Sequence, residues 1–166
     1  YLPRHENADL VDPRPHLTAW MAVQEIPWII GMAVERRQGA PLEAALRMLA
    51  DFGRTAAMSP LVPFHRARVC EALAEVTGER SWLEVAATAH LEAVQKGYVA
   101  KEQVHEAIAC AAAAGDAIVL NSLALFLRRD GRRIDADTER ELAKASVMIA
   151  EQVGDRTFAV AAPAGR

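Results

Sequence analysis

A histidine and several carboxylates fall into an ordered pattern in the second half of this 166-residue chain. Glu84 lies six residues before His90, and Glu102 and Glu106 follow on the next predicted helix. Histidine has an ordinary pKa near neutral pH, and a neighbouring carboxylate can orient the ring or change its charge. These residue types therefore predict general acid/base chemistry, in which His90 exchanges a proton with a substrate.

The spacing resembles the core motif of the carboxymuconolactone decarboxylase and alkylhydroperoxidase D family. That family carries a glutamate six residues before a histidine, matched here by Glu84 and His90. Glycines end two successive helices in the family, and Gly97 and Gly115 stand near those positions in this chain. The resemblance covers residues 84–127, about a quarter of the chain. The other matching positions are Ala93, Glu102, Val104, Glu106 and Asn121.

The resemblance implies decarboxylation or isomerisation of a small carboxylated lactone or keto acid, without a metal or a redox cofactor. It also implies a homo-oligomer, because such folds usually form trimers or hexamers. A guanidinium group pairs with a carboxylate through two hydrogen bonds, so arginines on the preceding helix are candidates for substrate binding. The expected catalytic residues are His90, Glu84 and Glu71, and the expected substrate-binding residues are Arg66, Arg68 and His105.

The cysteines of this chain do not match the peroxidase branch of the family. That branch places redox cysteines seven and four residues before the histidine, where this chain has Leu83 and Ala86. A thiol peroxidase of that type needs a thiol pair to cycle, so this activity is not expected. Cys70 and Cys110 lie in apolar helical patterns, which predicts buried and unreactive thiols.

Local helix chemistry gives Glu84 and His105 alternative interpretations. Ser81 followed by Glu84 has the spacing of a capping box at a helix start. Residues six apart on a helix also lie about 120° apart around its axis, which separates Glu84 from His90. Glu102 and His105 form an ExxH pair of the kind that di-iron bundles use in duplicate. Since the chain contains a single such pair, no metal is predicted.

Composition and charge argue against several classes of protein. The chain is 52% hydrophobic and 25% charged, as expected for one folded domain. A net charge of −3 argues against binding of nucleic acid through electrostatic attraction to its phosphates. No apolar run is long enough to span a membrane. Residues 1–15 are polar and proline-rich, unlike a signal peptide, so the expected compartment is the cytoplasm.

Turn residues recur at helix-length intervals and no segment shows the alternation typical of a strand. We therefore predict an all-α bundle of six to seven helices, built from helical hairpins. The expected organisation is an N-terminal arm (1–15), a single helical domain (16–153) and a disordered tail (154–166). The predicted helices are 16–37, broken or kinked at Pro27, and then 42–55, 63–76, 81–96, 100–114, 116–129 and 136–153.

Two other functions fit parts of the sequence. Gly78, Ala86, His90 and Ala93 have the spacing of a tetratricopeptide-like hairpin, which predicts a helical interaction or scaffold domain. A ligand-sensing bundle is the second alternative. Its apolar cavity would be lined by Trp20, Trp28, Met32, Phe64 and Phe126.

Four arginines cluster around the Asp130-Gly131 turn. The expected role is a solvated loop with charges that favour helix C-termini. A phosphate or an acidic partner is the alternative. The cluster consists of Arg128, Arg129, Arg132 and Arg133.

Overall fold

The computed structural model describes residues 23–161 and contains seven α-helices and no β-strand within them, which confirms the all-α prediction. A short 3₁₀ turn at Arg129–Gly131 separates the last two helices. The helices are α1 (Ile26–Arg36), α2 (Ala40–Thr55), α3 (Leu61–Thr77), α4 (Ser81–Gln95), α5 (Lys101–Ala114), α6 (Ala117–Leu127) and α7 (Ala136–Ala161).

The predicted turn at Gly115 is confirmed and fixes the angle between α5 and α6. Gly115 has φ of 70°, a left-handed conformation that glycine adopts without the steric cost of a Cβ. Asp116 follows as the N-cap of α6, and its carboxylate accepts a hydrogen bond from the backbone N–H of Val119 at 2.9 Å. Such a cap satisfies a backbone donor that has no partner inside the helix.

The capping box predicted at Ser81 is wrong. Ser81 is the first residue of α4, and Arg80 occupies the cap position without a side-chain hydrogen bond. The backbone of Arg80 is itself helical, with φ of −62° and ψ of −27°. Because the backbone has already entered helical geometry at Arg80, Ser81 does not occupy the position from which its hydroxyl would cap the helix. Glu84 therefore has no capping role.

Two of the differences between predicted and observed helix boundaries have a local cause. Helix α3 begins at Leu61 rather than at Pro63, because the first turn of a helix does not need the N–H that proline lacks. Helix α7 continues through Gly154 to Ala161, since a glycine weakens a helix by about 1 kcal/mol without forbidding it. The predicted arm lies outside the described range, and of the helical segment predicted between His16 and the break at Pro27 only residues 23–26 lie within it.

Helix α3 lies at the centre of the bundle. It packs against α1 and α2 on one side and against α4 on the other, while α5 packs against α4 and α7. No helix within residues 23–161 combines the length and the apolar character that crossing a membrane requires.

The core has two parts. We call the first the aliphatic cluster and the second the alanine cluster, and Leu46 and Trp82 pack against both. The aliphatic cluster consists of Val23, Ile26, Ala33, Leu42, Ala45, Leu49, Val69, Ala72 and Leu73. The alanine cluster consists of Cys70, Ala86, Ala87, Val94, Val104, Ala107, Ile108, Cys110, Ala111, Ala112, Ala114, Val119, Leu120, Leu123, Leu142, Ala145 and Ile149.

Candidate functional site

His90 is fully buried and hydrogen-bonded through both ring nitrogens. Its Nε2 lies 2.9 Å from Glu71 Oε1 on α3, and its Nδ1 lies 3.0 Å from Gln103 Nε2 on α5. With the ring proton on Nε2, His90 donates to the Glu71 carboxylate and accepts from the Gln103 amide. Three helices therefore meet in one line of hydrogen bonds that runs from Glu71 to Gln103.

Small side chains bring these helices close enough for the contact. Ala86 and Ala93 on α4 are buried, as are Ala107 and Ala111 on α5. The distance between packed helices depends on the side chains at their contact, and alanine allows a short one. Side chains of moderate length, such as His90, can then reach partners on both neighbouring helices.

Glu71 connects the buried histidine to the surface. Its side chain is 27% exposed, whereas that of His90 is 0% exposed. Burial raises the pKa of Glu71, but the hydrogen bond from His90 and the electrostatic attraction of His90 and Arg68 outweigh burial and hold that pKa below its usual value. The Glu71 carboxylate is therefore ionised at neutral pH.

Arg68 lies between two carboxylates. Its Nη1 atom is 3.7 Å from Glu71 Oε2 and 3.5 Å from Glu106 Oε2. Both distances exceed the roughly 2.7–2.9 Å of strong charge-assisted hydrogen bonds. The guanidinium group is thus attracted to both carboxylates without being held tightly by either.

A pocket of about 240 Å³ opens beside Arg68, between α1, α3 and α5. The ring of Phe64 forms part of its wall and meets Tyr98 edge-on, with ring centroids 5.0 Å apart. Burial and the positive charge of Arg68 lower the pKa of His65, so this imidazole is neutral at neutral pH. The lining residues are Pro27, Ile30, Phe64, His65, Arg68 and Glu106.

Both cysteines are buried, as predicted. Burial raises the pKa of Cys70 to about 11, although Arg66 acts in the opposite direction. Burial also raises the pKa of Cys110, and the negative charge of nearby Glu71 raises it further. The thiolate is the reactive form of cysteine, so both thiols are held in their unreactive form.

Glu71, His90 and Cys110 could together hold a metal ion. One donor atom from each lies within 4.8 Å of the other two, and within the described chain this is the one group of three such donors. A carboxylate, an imidazole and a thiolate are ligand types that zinc takes, with three protein ligands in catalytic sites. An ion at this position would have to replace the thiol proton of Cys110. It would also have to replace the hydrogen bond between His90 Nε2 and the Glu71 carboxylate.

The structure brings together half of the six residues predicted for the site. His90, Glu71 and Arg68 lie in one connected group. Glu84 is exposed and lines a separate surface depression together with Arg66.

The remaining predicted residues have partners of their own. Arg66 forms an ion pair with Glu92 on α4. His105 Nε2 donates to the hydroxyl of Thr138 at 3.0 Å, and this hydroxyl donates to Asp135. Glu84 is not a partner of His90, because six residues along a helix place it on another face.

Sequence reasoning missed Gln103 and His65. Gln103 precedes Ala107, Cys110 and Ala111 at helical spacing, so a polar residue stands in an otherwise apolar stripe. That pattern signals a buried polar group, which needs a hydrogen-bond partner. His65 gives no comparable signal, because its position at the pocket depends on how α1 packs over α3.

The cavity of the ligand-sensing alternative is not formed by those of its residues that the structure describes. Phe64 and Phe126 line two different pockets, and the side chain of Trp28 is 63% exposed. Trp20 lies outside the described residues.

Comparisons with family models, with curated proteins and with solved structures give no match. The resemblance to the carboxymuconolactone decarboxylase family stays a prediction based on the residues of the motif.

Proposed function

We propose that this protein catalyses proton transfer on a small carboxylated lactone or keto acid, in the manner of the carboxymuconolactone decarboxylase family. Within that chemistry, isomerisation fits the site better than decarboxylation. The observation that carries the proposal is the position of Glu71, whose carboxylate contacts the buried His90 through one oxygen and approaches Arg68 with the other.

Arg68 is the group proposed to bind the carboxylate of the substrate. Its contacts with Glu71 and Glu106 are long, at 3.7 and 3.5 Å. A substrate carboxylate could form shorter, paired hydrogen bonds with the guanidinium group. The apolar wall of the pocket would contact the carbon skeleton of the substrate.

Glu71 is the proposed base. Its low pKa keeps the carboxylate ionised, so the residue accepts a proton before it returns one. Isomerisation needs this order, with removal of a proton beside a carbonyl group and its return to another carbon. Decarboxylation instead forms an enolate as CO₂ leaves, and an acid must then protonate the enolate carbon. Neutral His65, which lines the pocket, could polarise the carbonyl oxygen.

His90 and Gln103 are proposed as positioning residues. His90 has no exposed surface and cannot touch a substrate in this arrangement. Its Nε2–H fixes one oxygen of Glu71, and the amide of Gln103 fixes the orientation of the ring. A base held in one orientation loses less freedom when the transition state forms.

Deuterium exchange tests the proposal. The protein would be incubated in D₂O with β-keto acids and with unsaturated γ-lactones that carry a carboxylate, and NMR would follow exchange beside the carbonyl group. We expect Glu71→Gln to slow exchange by at least about 100-fold, as for loss of a catalytic base. The matched control is Glu84→Gln, which removes an exposed carboxylate and should leave the rate within about twofold of wild type.

Two results would redirect the assignment. If Glu84→Gln abolishes exchange while Glu71→Gln retains it, the base is misassigned. If a chelator abolishes exchange in the wild-type protein, a metal bound by Glu71, His90 and Cys110 carries the reaction. Absence of exchange with every compound would favour the interaction-domain alternative.

We also propose that the protein is a homo-oligomer. Ile118 and Leu125 lie two turns apart on α6, and they are 79% and 73% exposed. Large apolar side chains exposed on one helical face favour contact with another protein surface. Light scattering coupled to size exclusion would give the mass, and Ile118→Asp/Leu125→Asp should shift it to that of the monomer.

A further inference from the structure

A second pocket, of about 260 Å³, lies where α5 begins, where α6 ends and where the loop before α7 passes. We call it the arginine pocket. Its cationic residues are Lys101, Arg129, Arg132 and Arg133, and its apolar floor includes Phe126 and Ile134. It shares no lining residue with the pocket beside Arg68, so a ligand bound in it would be independent of the proposed function.

The lining of the arginine pocket is positively charged in a protein that is negative as a whole. Among the side chains that the structure describes, four cationic ones line it together with one carboxylate, that of Asp135. The complete chain carries a net charge of −3. A concave site lined by one sign of charge concentrates ligands of the opposite sign.

Two of these cations have no acidic partner among the side chains that the structure describes. Lys101 is paired, with its Nζ 2.6 Å from Asp137 and 3.6 Å from Asp135. The side chains of Arg132 and Arg133 form no ion pair or hydrogen bond with the described chain. They are therefore available for an anion that enters the pocket.

The floor of the arginine pocket is apolar. It is formed by Phe126 and Ile134 together with Val104, and the guanidinium carbon of Arg129 lies 3.8 Å from the centre of the Phe126 ring. In this cation–π contact the guanidinium group of Arg129 covers one face of the Phe126 ring. A site with an apolar floor and a few directed polar groups binds a ligand that has both parts.

We propose that the arginine pocket binds a small amphipathic organic anion, such as an aromatic carboxylate. The carboxylate would pair with Arg132 and Arg133, and the ring would pack on Ile134 beside the stacked Arg129 and Phe126 side chains. Inorganic phosphate would satisfy the cations but leave the floor in contact with water. A neutral aromatic molecule would cover the floor but leave the arginines without a partner.

Ligand-observed NMR titration of the full chain tests this with benzoate, benzamide and inorganic phosphate as probes. Benzoate is expected to bind at least tenfold more tightly than either of the others. Arg132→Ala/Arg133→Ala should weaken benzoate binding at least tenfold. The matched control is Arg36→Ala/Arg47→Ala, which removes two exposed arginines elsewhere and the same total charge, and it should leave affinity within twofold.

Three results would overturn the proposal. Equal affinity for phosphate and benzoate would show a cationic surface that makes no use of the floor. Unchanged benzoate binding in Arg132→Ala/Arg133→Ala would exclude these arginines. Loss of benzoate binding in Arg68→Ala, with retention in the double variant, would place the ligand in the other pocket. Because the arginines are exposed, thermal unfolding of each variant separates loss of binding from loss of the fold.

Discussion

The two clusters of the core are built from different side chains. In the aliphatic cluster, Leu42, Leu49 and Leu73 are among the largest fully buried side chains of the described chain. The alanine cluster also contains the large side chains of Ile108 and Leu123, and most of its alanines lie on α4 and α5, the helices that meet at His90 and Gln103. The buried polar side chains, His90, Gln103 and Thr138, lie on α4, α5 and α7, which build the alanine cluster. The alanines allow α4 and α5 to approach closely, which brings the buried polar side chains of His90 and Gln103 within hydrogen-bond distance.

This difference has an energetic consequence. Full burial of a leucine side chain contributes about 1.5–3 kcal/mol, and an alanine contributes much less. The aliphatic cluster should therefore be sensitive to loss of volume. The alanine cluster should in addition be sensitive to added volume between α4 and α5 and to loss of a hydrogen-bond partner.

The largest expected effect is in the aliphatic cluster. Leu73→Ala removes a fully buried side chain on α3 and should lower the free energy of unfolding by about 2–5 kcal/mol. Urea denaturation followed by circular dichroism measures this. The control is Met58→Ala, where an 84% exposed side chain should change the free energy by less than about 0.5 kcal/mol. A loss below about 1 kcal/mol for Leu73→Ala would show that the cluster collapses around the gap.

The alanine cluster should respond to the opposite change. Ala107 is fully buried between α5 and its neighbours, so Ala107→Leu should lower the free energy of unfolding by about 1–3 kcal/mol through overpacking. Ala113→Leu is the same substitution at an exposed position of the same helix and should be nearly neutral. If both variants are equally stable, close helix contact does not limit side-chain volume in the alanine cluster.

A third prediction concerns the polar group inside the alanine cluster. Gln103→Leu leaves His90 Nδ1 without its partner and should lower the free energy of unfolding by about 1–3 kcal/mol. Adding His90→Leu removes the orphaned ring, so the double variant should lose less than the sum of the two single variants. Additive losses in this cycle would mean that the hydrogen bond between Gln103 and His90 does not couple them.

The sequence predicts helices better than contacts. Gly115 and Asp116 define a helix end and a helix start by local chemistry, and both predictions are confirmed. Spacing singles out His90, but its partners Glu71 and Gln103 lie 19 positions before it and 13 after it. Such pairings depend on how three helices pack, which the local pattern does not contain. Glu84 is a candidate only because it is near His90 in sequence, and it lies on another face of the helix.

The smallest expected effect concerns the cap of α7, the helix that covers the alanine cluster. Hydrogen bonds from the hydroxyl and the backbone N–H of Thr138, together with the charge of Lys101, lower the pKa of Asp135 to about 2. Because its pKa is lower in the folded state than in the unfolded chain, ionised Asp135 stabilises the fold above about pH 4. This contribution is lost as the pH falls through the folded value near 2.

Asp135→Ala removes the cap at every pH. Its melting temperature should therefore lie below that of the wild type at pH 7, and the difference should shrink between about pH 4 and pH 2 as the wild-type carboxylate becomes protonated. Thermal unfolding at a series of pH values measures this. A difference that stays constant down to about pH 2 would mean that the charge of Asp135 contributes nothing and that loss of volume explains the effect. A difference that shrinks would show that a charged cap helps to hold α7 over the alanine cluster. The contacts within the aliphatic cluster are between apolar side chains, so their contribution should not change over this pH range.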